Sequence, residues 1–459
     1  MMKAPGRDAR WRAAWVPTTC PIHPSGALVL SLLTFIGWLG AADAYGQSSP
    51  GAPTPEVPCS VWVSSRGDDR HDGRHDARAV RTPDRAVRLA QPGDVVCFAR
   101  GRYPRLRIYG KRGEPGRPIV FRAAPGASRE ATFTTGSLRD GLGAQLADVD
   151  HIVVKGLRVT RSQTGLGCHA CRHVRIEGVL VESVGQAGLH VGRPIDWTGA
   201  PRFTGPPSEH VALIGNTVRD TGLVTARYGE GVYVGTGAIG GDETHDILVE
   251  GNTLLGTRAE GIEVKPFTRR VTVRGNLVMA SSHAFKAAIT IAVSPVDYPS
   301  GEYLVEFNRV VDFRSTGGPI AGIGIGHGDT IVRHNLVWAI AGGSGIRTYT
   351  TFVTPGARRV LIEHNTVWTP GAPSILLHED DGRAPGATTP ADVECRDNLT
   401  SDGAAGSLKV ATADFLGPTD GVADAGPGPG SGLRPRAGIM GGADIDTLLR
   451  AFDEGATAP

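Results

Sequence analysis

Apolar and polar residues alternate in short runs along most of the chain, and each run is split by a Gly-Asn pair or its equivalent. HIVVKGLRVT (151–160), HVRIEGVLVE (173–182), HVALIGNTVRD (210–220), DILVEGNTLLG (246–256) and RVTVRGNLVMA (270–280) open the series. YLVEFNRVVD (303–312), TIVRHNLVWA (330–339), VLIEHNTVWT (360–369) and DVECRDNLTS (392–401) continue it. Period-two alternation predicts strands with one buried face. Such short strands cannot bury that face alone, so each unit must stack on the next, as in a solenoid.

Seven units place Asn at one position: Asn216, Asn252, Asn276, Asn308, Asn335, Asn365 and Asn398, at spacings of 36, 24, 32, 27, 30 and 33. Spacing this uneven suits a β-helix, where extra residues become loops on one face. Asn tolerates the left-handed backbone of a sharp corner, and stacked side-chain amides can hydrogen-bond along the column. The asparagines are therefore expected to be ladder residues rather than ligands.

A second strand follows in each unit: GLHVG (188–192), GVYVG (231–235), GIEVK (261–265), AITIA (288–292), GIGIG (322–326), GIRTY (345–349) and SILLH (374–378). Alternation turns Leu189, Val191, Val232, Val234, Ile262 and Val264 inward. It leaves an outward column of His190, Tyr233, Glu263, Thr290, Gly324, Arg347 and Leu376. Beside it runs a column of Gly192, Gly235, Lys265, Ala292, Gly326, Tyr349 and His378. Glu230 and Glu260 precede two adjacent second strands at matching places. Glu and Lys are poor strand formers, and adjacent carboxylates repel, so propensity does not account for this cluster. Its small neighbours, Gly192, Gly235, Ala292 and Gly326, predict a shallow groove for an extended sugar chain. A solvated face with an incidental ion pair is the plainer alternative.

The chain before the repeats has its own pattern. VWVSSRGDDRHDG (61–73) is a strand running into an acidic turn, and TPDRAVRLAQPGD (82–94) is a helix with Thr82 as cap and Pro83 at its first position. Short strands DVVCFARGRY (94–103), LRIYG (106–110) and PIVFRAAPG (118–126) follow. A solenoid needs such an end cap. Asp68, Asp69, Asp72 and Asp76 are candidate calcium ligands in the turn, although the EF-hand spacing is absent. Arg66-Gly67-Asp68 is given no adhesive role.

The order GxD…DG, TP-x-x-A, PGD-x-V, G-x-Y and G-x-PI-x-x-x-A-x-PG over residues 61–126 resembles the opening of secreted right-handed parallel β-helix proteins. That group includes chondroitinase-B-like and alginate polysaccharide lyases, within the pectate-lyase-like superfamily. The expected fold is all-β: a single-stranded right-handed parallel β-helix, or solenoid, of roughly nine or ten coils with an N-terminal helical cap. The handedness follows from the resemblance and from the usual rule for parallel crossovers.

Composition adds compartment. Net charge is +2 over 459 residues, which gives no support for a nucleic-acid partner. Arg7, Arg10 and Arg12 precede the apolar run Ala27–Ala42 and a small-residue Ala-Asp-Ala site, a secretory signal pattern; a retained membrane anchor is the alternative. The segments expected are a signal peptide (1–44), a linker (45–57), a cap with the first coils (58–135), repeats (136–402) and an irregular C-terminal cover (403–459), within which 443–455 reads as a short helix. The mature protein is expected to be secreted or periplasmic, monomeric and without a membrane partner. Six cysteines fit export. Cys20 leaves with the signal, Cys59 and Cys97 flank two strands and could bridge, and Cys168-His-Ala-Cys171 reads as a local bridge or buried thiols before a zinc or redox pair.

The resemblance implies a polysaccharide partner and β-elimination from a uronic-acid glycan, with a Lys base, a nearby Arg and acidic calcium ligands. By that resemblance Lys265 is the base, Glu230, Glu260 and Glu263 are Ca²⁺ ligands, and Arg347 or His190 contacts substrate; Tyr233 is a further catalytic candidate. Two other readings stand beside it. A hydrolase could use Glu230 with Glu260, or Glu260 with Glu263. A non-catalytic binder could use Tyr233, Trp197, Tyr228 and Tyr349 as stacking platforms.

Overall fold

The computed structural model describes residues 57–400, apart from 238–240, 280–281, 284–286, 293–300, 312, 316–319, 327–328, 339–342, 349–359, 370–371 and 377–392. The signal, the linker up to residue 56, the C-terminal cover with its 443–455 helix, Tyr349, His378 and Cys20 lie outside the described residues. These residues fall into two compact units that divide between Ser282 and His283.

In the first unit three parallel ladders run side by side. The long ladder stacks Val61–Val63, Val95–Phe98, Ile119–Ala123, the second half of Leu142–Lys155, the second half of Thr164–Glu177, Glu209–Ile214, His245–Glu250 and Arg269–Arg274. The short ladder runs from Gly101–Pro104 through Ala131–Thr134, Arg158–Thr160, Leu180–Glu182, Thr217–Arg219 and Thr253–Leu255 to Leu277–Met279. The third ladder, which carries the site, takes in Leu106–Tyr109, the first halves of the two 14-residue strands, Leu189–Gly192, Val232–Val234 and Ile262–Val264. The second unit repeats the plan. One ladder is Gly301–Glu306, Thr330–Arg333, Val360–Glu363 and Val393–Arg396, and two shorter ladders accompany it.

The alternation read from the sequence sets the core. Val211, Leu213, Val249, Val271 and Val273 on the long ladder, and Leu189, Val191, Val232, Val234, Ile262 and Val264 on the site ladder, are all buried. The asparagines form the expected ladder. Asn216 donates Nδ2 to Asn252 Oδ1 at 3.0 Å, and Asn252 donates to Asn276 Oδ1 at 2.9 Å. In the second unit Asn308, Asn335, Asn365 and Asn398 repeat it. The left-handed corner is not at Asn, however, but one residue earlier, at Gly215, Gly251 and Gly275 and at Phe307, His334, His364 and Asp397. The Asn side chain then points back into the stack, which is why it satisfies backbone groups rather than shaping the turn.

The N-terminal helix is Pro83–Leu89. Thr82 caps it by accepting from Arg85 N at 3.2 Å, while Asp69 accepts from Thr82 N and Oγ1 at 2.9 and 2.6 Å. Asp68 accepts from Arg70, and Asp72 from Arg74. The acidic turn therefore organises the cap with its own donors rather than presenting open calcium ligands. Cys59 and Cys97 are bridged with Cα atoms 5.7 Å apart. Cys168 and Cys171 are also bridged, across the left-handed corner at Ala170. The bridge takes both sulfurs away from zinc and matches the local-bridge reading of that pair, and no described cysteine is a free thiol. Among the described residues no helix is long and apolar enough to cross a membrane.

Candidate functional site

Register brings the predicted column together in the first unit. His190 pairs with Tyr233, and Tyr233 with Glu263, on three successive coils. Their apolar neighbours anchor each strand in the core, which fixes the direction of the intervening side chains. Glu230 and Glu260 stand one coil apart just before their strands, since Gly231 N donates to Glu260 O at 3.0 Å. The carboxylates of Glu230, Glu260 and Glu263 offer oxygens that all lie within 4.8 Å of one another.

The site is not a solvated groove. Glu230, Glu260 and Glu263 are only 3, 4 and 2% exposed. The predicted openings at Gly192 and Gly235 are filled. A Cβ on Gly235, which sits at φ +81°, would meet Thr268 Cγ2 at 2.5 Å and Lys265 Cβ at 3.2 Å; one on Gly192 would meet Asp242 Oδ2 at 3.4 Å. The chain after Val232–Val234 folds back over this column, so that Gly237 lies against the Lys265 side chain and Asp242 against Gly192. The glycines are small because other groups pack there. Ala292 and Gly326 belong to the second unit.

Three like charges in so dry a place interact strongly. Burial, and then the neighbouring Glu263 and Glu260, push the Glu230 carboxyl up to about 8. Lys265 supplies the compensating charge: its Nζ is 2.6 Å from Glu263 Oε1 and 5.0 Å from the centre of the Tyr233 ring. Tyr233 also meets His190 edge-on, ring centres 4.9 Å apart. Tyr233 is consequently half-buried and held by its neighbours, which removes it from the exposed stacking platforms. Trp197 and Tyr228 remain exposed, at 61 and 49%.

Sequence alignment of the second strands begins at 188–192, three strands after this ladder opens, and so misses His169. Leu166 pairs with Leu189 and Cys168 with Val191, which puts His169 beside Gly192 in the column that holds Lys265 two coils on. The His169 ring reaches His190, Nε2 to Nδ1 at 3.2 Å, in space left by Gly167, where a Cβ would meet His169 Cε1 at 2.9 Å. Burial holds His169 down to about 4; burial, His169 and Lys265 together hold His190 down to about 3. The motif Gly165-Leu166-Gly167-Cys168-His169 carried the signal, because it repeats the Gly-Leu-x-apolar frame of 188–191. Asp242 is the other residue the sequence did not single out: it is fully buried and accepts from Arg193 N and Thr244 N at 3.1 and 3.0 Å. Arg347 lies in the second unit on Gly343–Thr348, between Gly324 and Leu376 in its ladder, as the alignment predicts.

A donor set of three carboxylates fits a hard divalent cation such as Ca²⁺, which prefers oxygen ligands. The buried charge left over after Lys265 pairs with Glu263 is what such an ion would neutralise.

No protein-family model and no curated protein matches the chain. Solved structures do. A rhamnogalacturonan lyase is 14% identical with a TM-score of 0.52, over 86% of this chain and 99% of that one. A pectate lyase is 13% identical with a TM-score of 0.50, over 85 and 90%. An alginate lyase from Paenibacillus sp. str. FPU-7 is 16% identical with a TM-score of 0.46, over 68 and 97%. The ladders described above agree with the likeness to the rhamnogalacturonan and pectate lyases: the chain has the parallel β-helix fold of those structures.

Proposed function

We propose that this protein cleaves a uronic-acid-containing polysaccharide by β-elimination at the Glu230, Glu260, Glu263 and Lys265 cluster. The observation that carries the reading is a buried three-carboxylate nest with an ammonium 2.6 Å from one of its members, next to a tyrosine and a histidine pair. Strand structure alone gives no reason to bury such a set. The parallel β-helix fold adds support, and the disulfides fit an exported protein.

Glu230, Glu260 and Glu263 would hold a Ca²⁺ ion, which when bound neutralises the substrate carboxylate and makes the neighbouring C5 proton more acidic. Lys265 is the base that takes that proton, its Nζ held in place by Glu263 at 2.6 Å. The C5–H bond breaks, a C4–C5 double bond forms and the C4–O bond breaks. Tyr233 gives its phenolic proton to the leaving oxygen. His190, kept neutral, offers a hydrogen bond to a sugar hydroxyl.

A second reading draws on Glu230. A carboxyl held protonated beside other carboxylates is what a general acid in glycoside hydrolysis requires. The test is ultraviolet absorbance of the unsaturated product, recorded with a panel of uronate polysaccharides with and without calcium. A calcium-dependent rise that falls at least a hundredfold in Lys265→Ala supports elimination. New reducing ends without the absorbance would replace it with hydrolysis. Binding without any product would leave a glycan-binding scaffold.

A further inference from the structure

A second constellation sits at the opposite end of the long-ladder strands, where the chain turns out of the site ladder. The corner residue of each coil there is left-handed: His151 at φ +51°, His173 at +50° and His210 at +52°. Register stacks these residues, because Ile152 pairs with Val174 and Val174 with Val211. The His151 and His173 rings lie 4.4 Å apart at 24°, and His173 and His210 5.0 Å apart at 10°. Histidine tolerates the left-handed region and stacks well, so a purely structural ring column accounts for that much.

It does not account for Asp150. His151 Nδ1 and His173 Nδ1 both point at the same carboxylate oxygen, Asp150 Oδ1, at 2.7 and 3.0 Å. The other oxygen, Oδ2, accepts from Arg172 Nε at 3.1 Å, which fixes the carboxylate in place. One nitrogen of each ring and one oxygen thus converge, all within 4.8 Å of one another. Ligands bound tetrahedrally at about 2.1 Å lie about 3.4 Å apart, so the site closes with side-chain movements of about an ångström.

We infer that Asp150, His151 and His173 form a binding site for a divalent transition metal ion of borderline softness, with Zn²⁺ the probe of choice. Two imidazoles and one carboxylate suit such an ion better than Ca²⁺. Arg172 supplies the outer bond that holds the ligating carboxylate in place. The remaining coordination positions open to water, since the side chain of His173 is 46% exposed. No described cysteine is free to compete for the ion. This site is distinct from the glutamate cluster and does not depend on the reading of that cluster.

The test is calorimetric titration of the full chain, stripped with chelator, with Zn²⁺ alone. Wild type and Glu260→Gln should each bind one equivalent with micromolar affinity. His173→Asn, which keeps a residue suited to the left-handed corner, and Asp150→Asn should bind at least tenfold more weakly with unchanged circular dichroism. Cobalt(II) added to the wild-type protein should give the visible ligand-field bands of a nitrogen- and oxygen-ligated ion, a readout that needs no variant. Wild type failing to bind at millimolar Zn²⁺ would overturn the inference. So would unchanged binding by His173→Asn, or a cobalt spectrum identical to the aqueous ion.

Discussion

His169 and His190 show what one missing side chain permits. Gly167 stands beside His190 in the register and two residues before His169, and its lack of a Cβ leaves the His169 ring the space in which the two imidazoles meet. Both are held neutral in the fold, at about 4 and about 3, against 6.5 for a free ring. The sign follows directly. Below pH 6.5 the unfolded chain takes up protons that the fold refuses, so stability is full above 6.5 and declines as pH falls toward 4. Replacing both with Asn should flatten that limb, by about 5 kcal/mol at pH 4.5 in urea titrations. A wild-type slope in the double variant would mean that other groups set the acid limit. Neither ring was legible as a pair: the Cys-x-x-Cys spacing drew attention to sulfur, whereas the decisive fact was the register across two coils.

At the level of the element, the ladder asparagines carry more than their size suggests. Asn252 donates to Leu213 O and Asn276 Oδ1 and accepts from Asn216 N and Nδ2, all between 2.9 and 3.0 Å and fully buried. Asn252→Ala removes four bonds and strands their partners in the core, so a loss of about 3 kcal/mol or more is expected from chemical denaturation. A loss under about 1 kcal/mol would mean that water or a shifted neighbour fills the rung. The strand patterns were legible where Val-, Ile- and Leu-rich runs alternate, because period-two alternation has one solution once the units stack, and they failed at the Gly- and Cys-containing run that holds His169. The corner was legible only in part, since the sequence offers Gly and Asn side by side and does not say which takes the left-handed backbone.

Across the whole molecule, what escaped the sequence is coverage. Glu230, Glu260, Glu263 and Lys265 were found by register alone, yet whether they face water depends on the chain after Val234 folding back to Gly237 and Asp242. No local pattern encodes that path. It bears on how the protein behaves with calcium. An ion held by the three carboxylates in the folded state alone should raise the melting temperature, with a gain of about 2.7 kcal/mol at a hundred times its dissociation constant. Glu260→Gln should abolish the rise without lowering the calcium-free melting temperature, because it also relieves like-charge repulsion. A full calcium response in that variant would place the ion elsewhere.

The direction of the asparagine bonds has a temporal meaning. The amide of Asn216 is satisfied by the side chain of Asn252, and that of Asn252 by Asn276, so each coil is completed by the one that follows it in the chain. A polypeptide emerging amino end first therefore always trails an unfinished turn behind its leading structure. Folding runs about one repeat behind emergence, a lag on the order of seconds at ordinary rates of synthesis. During that interval the newest turn waits as a template for its successor.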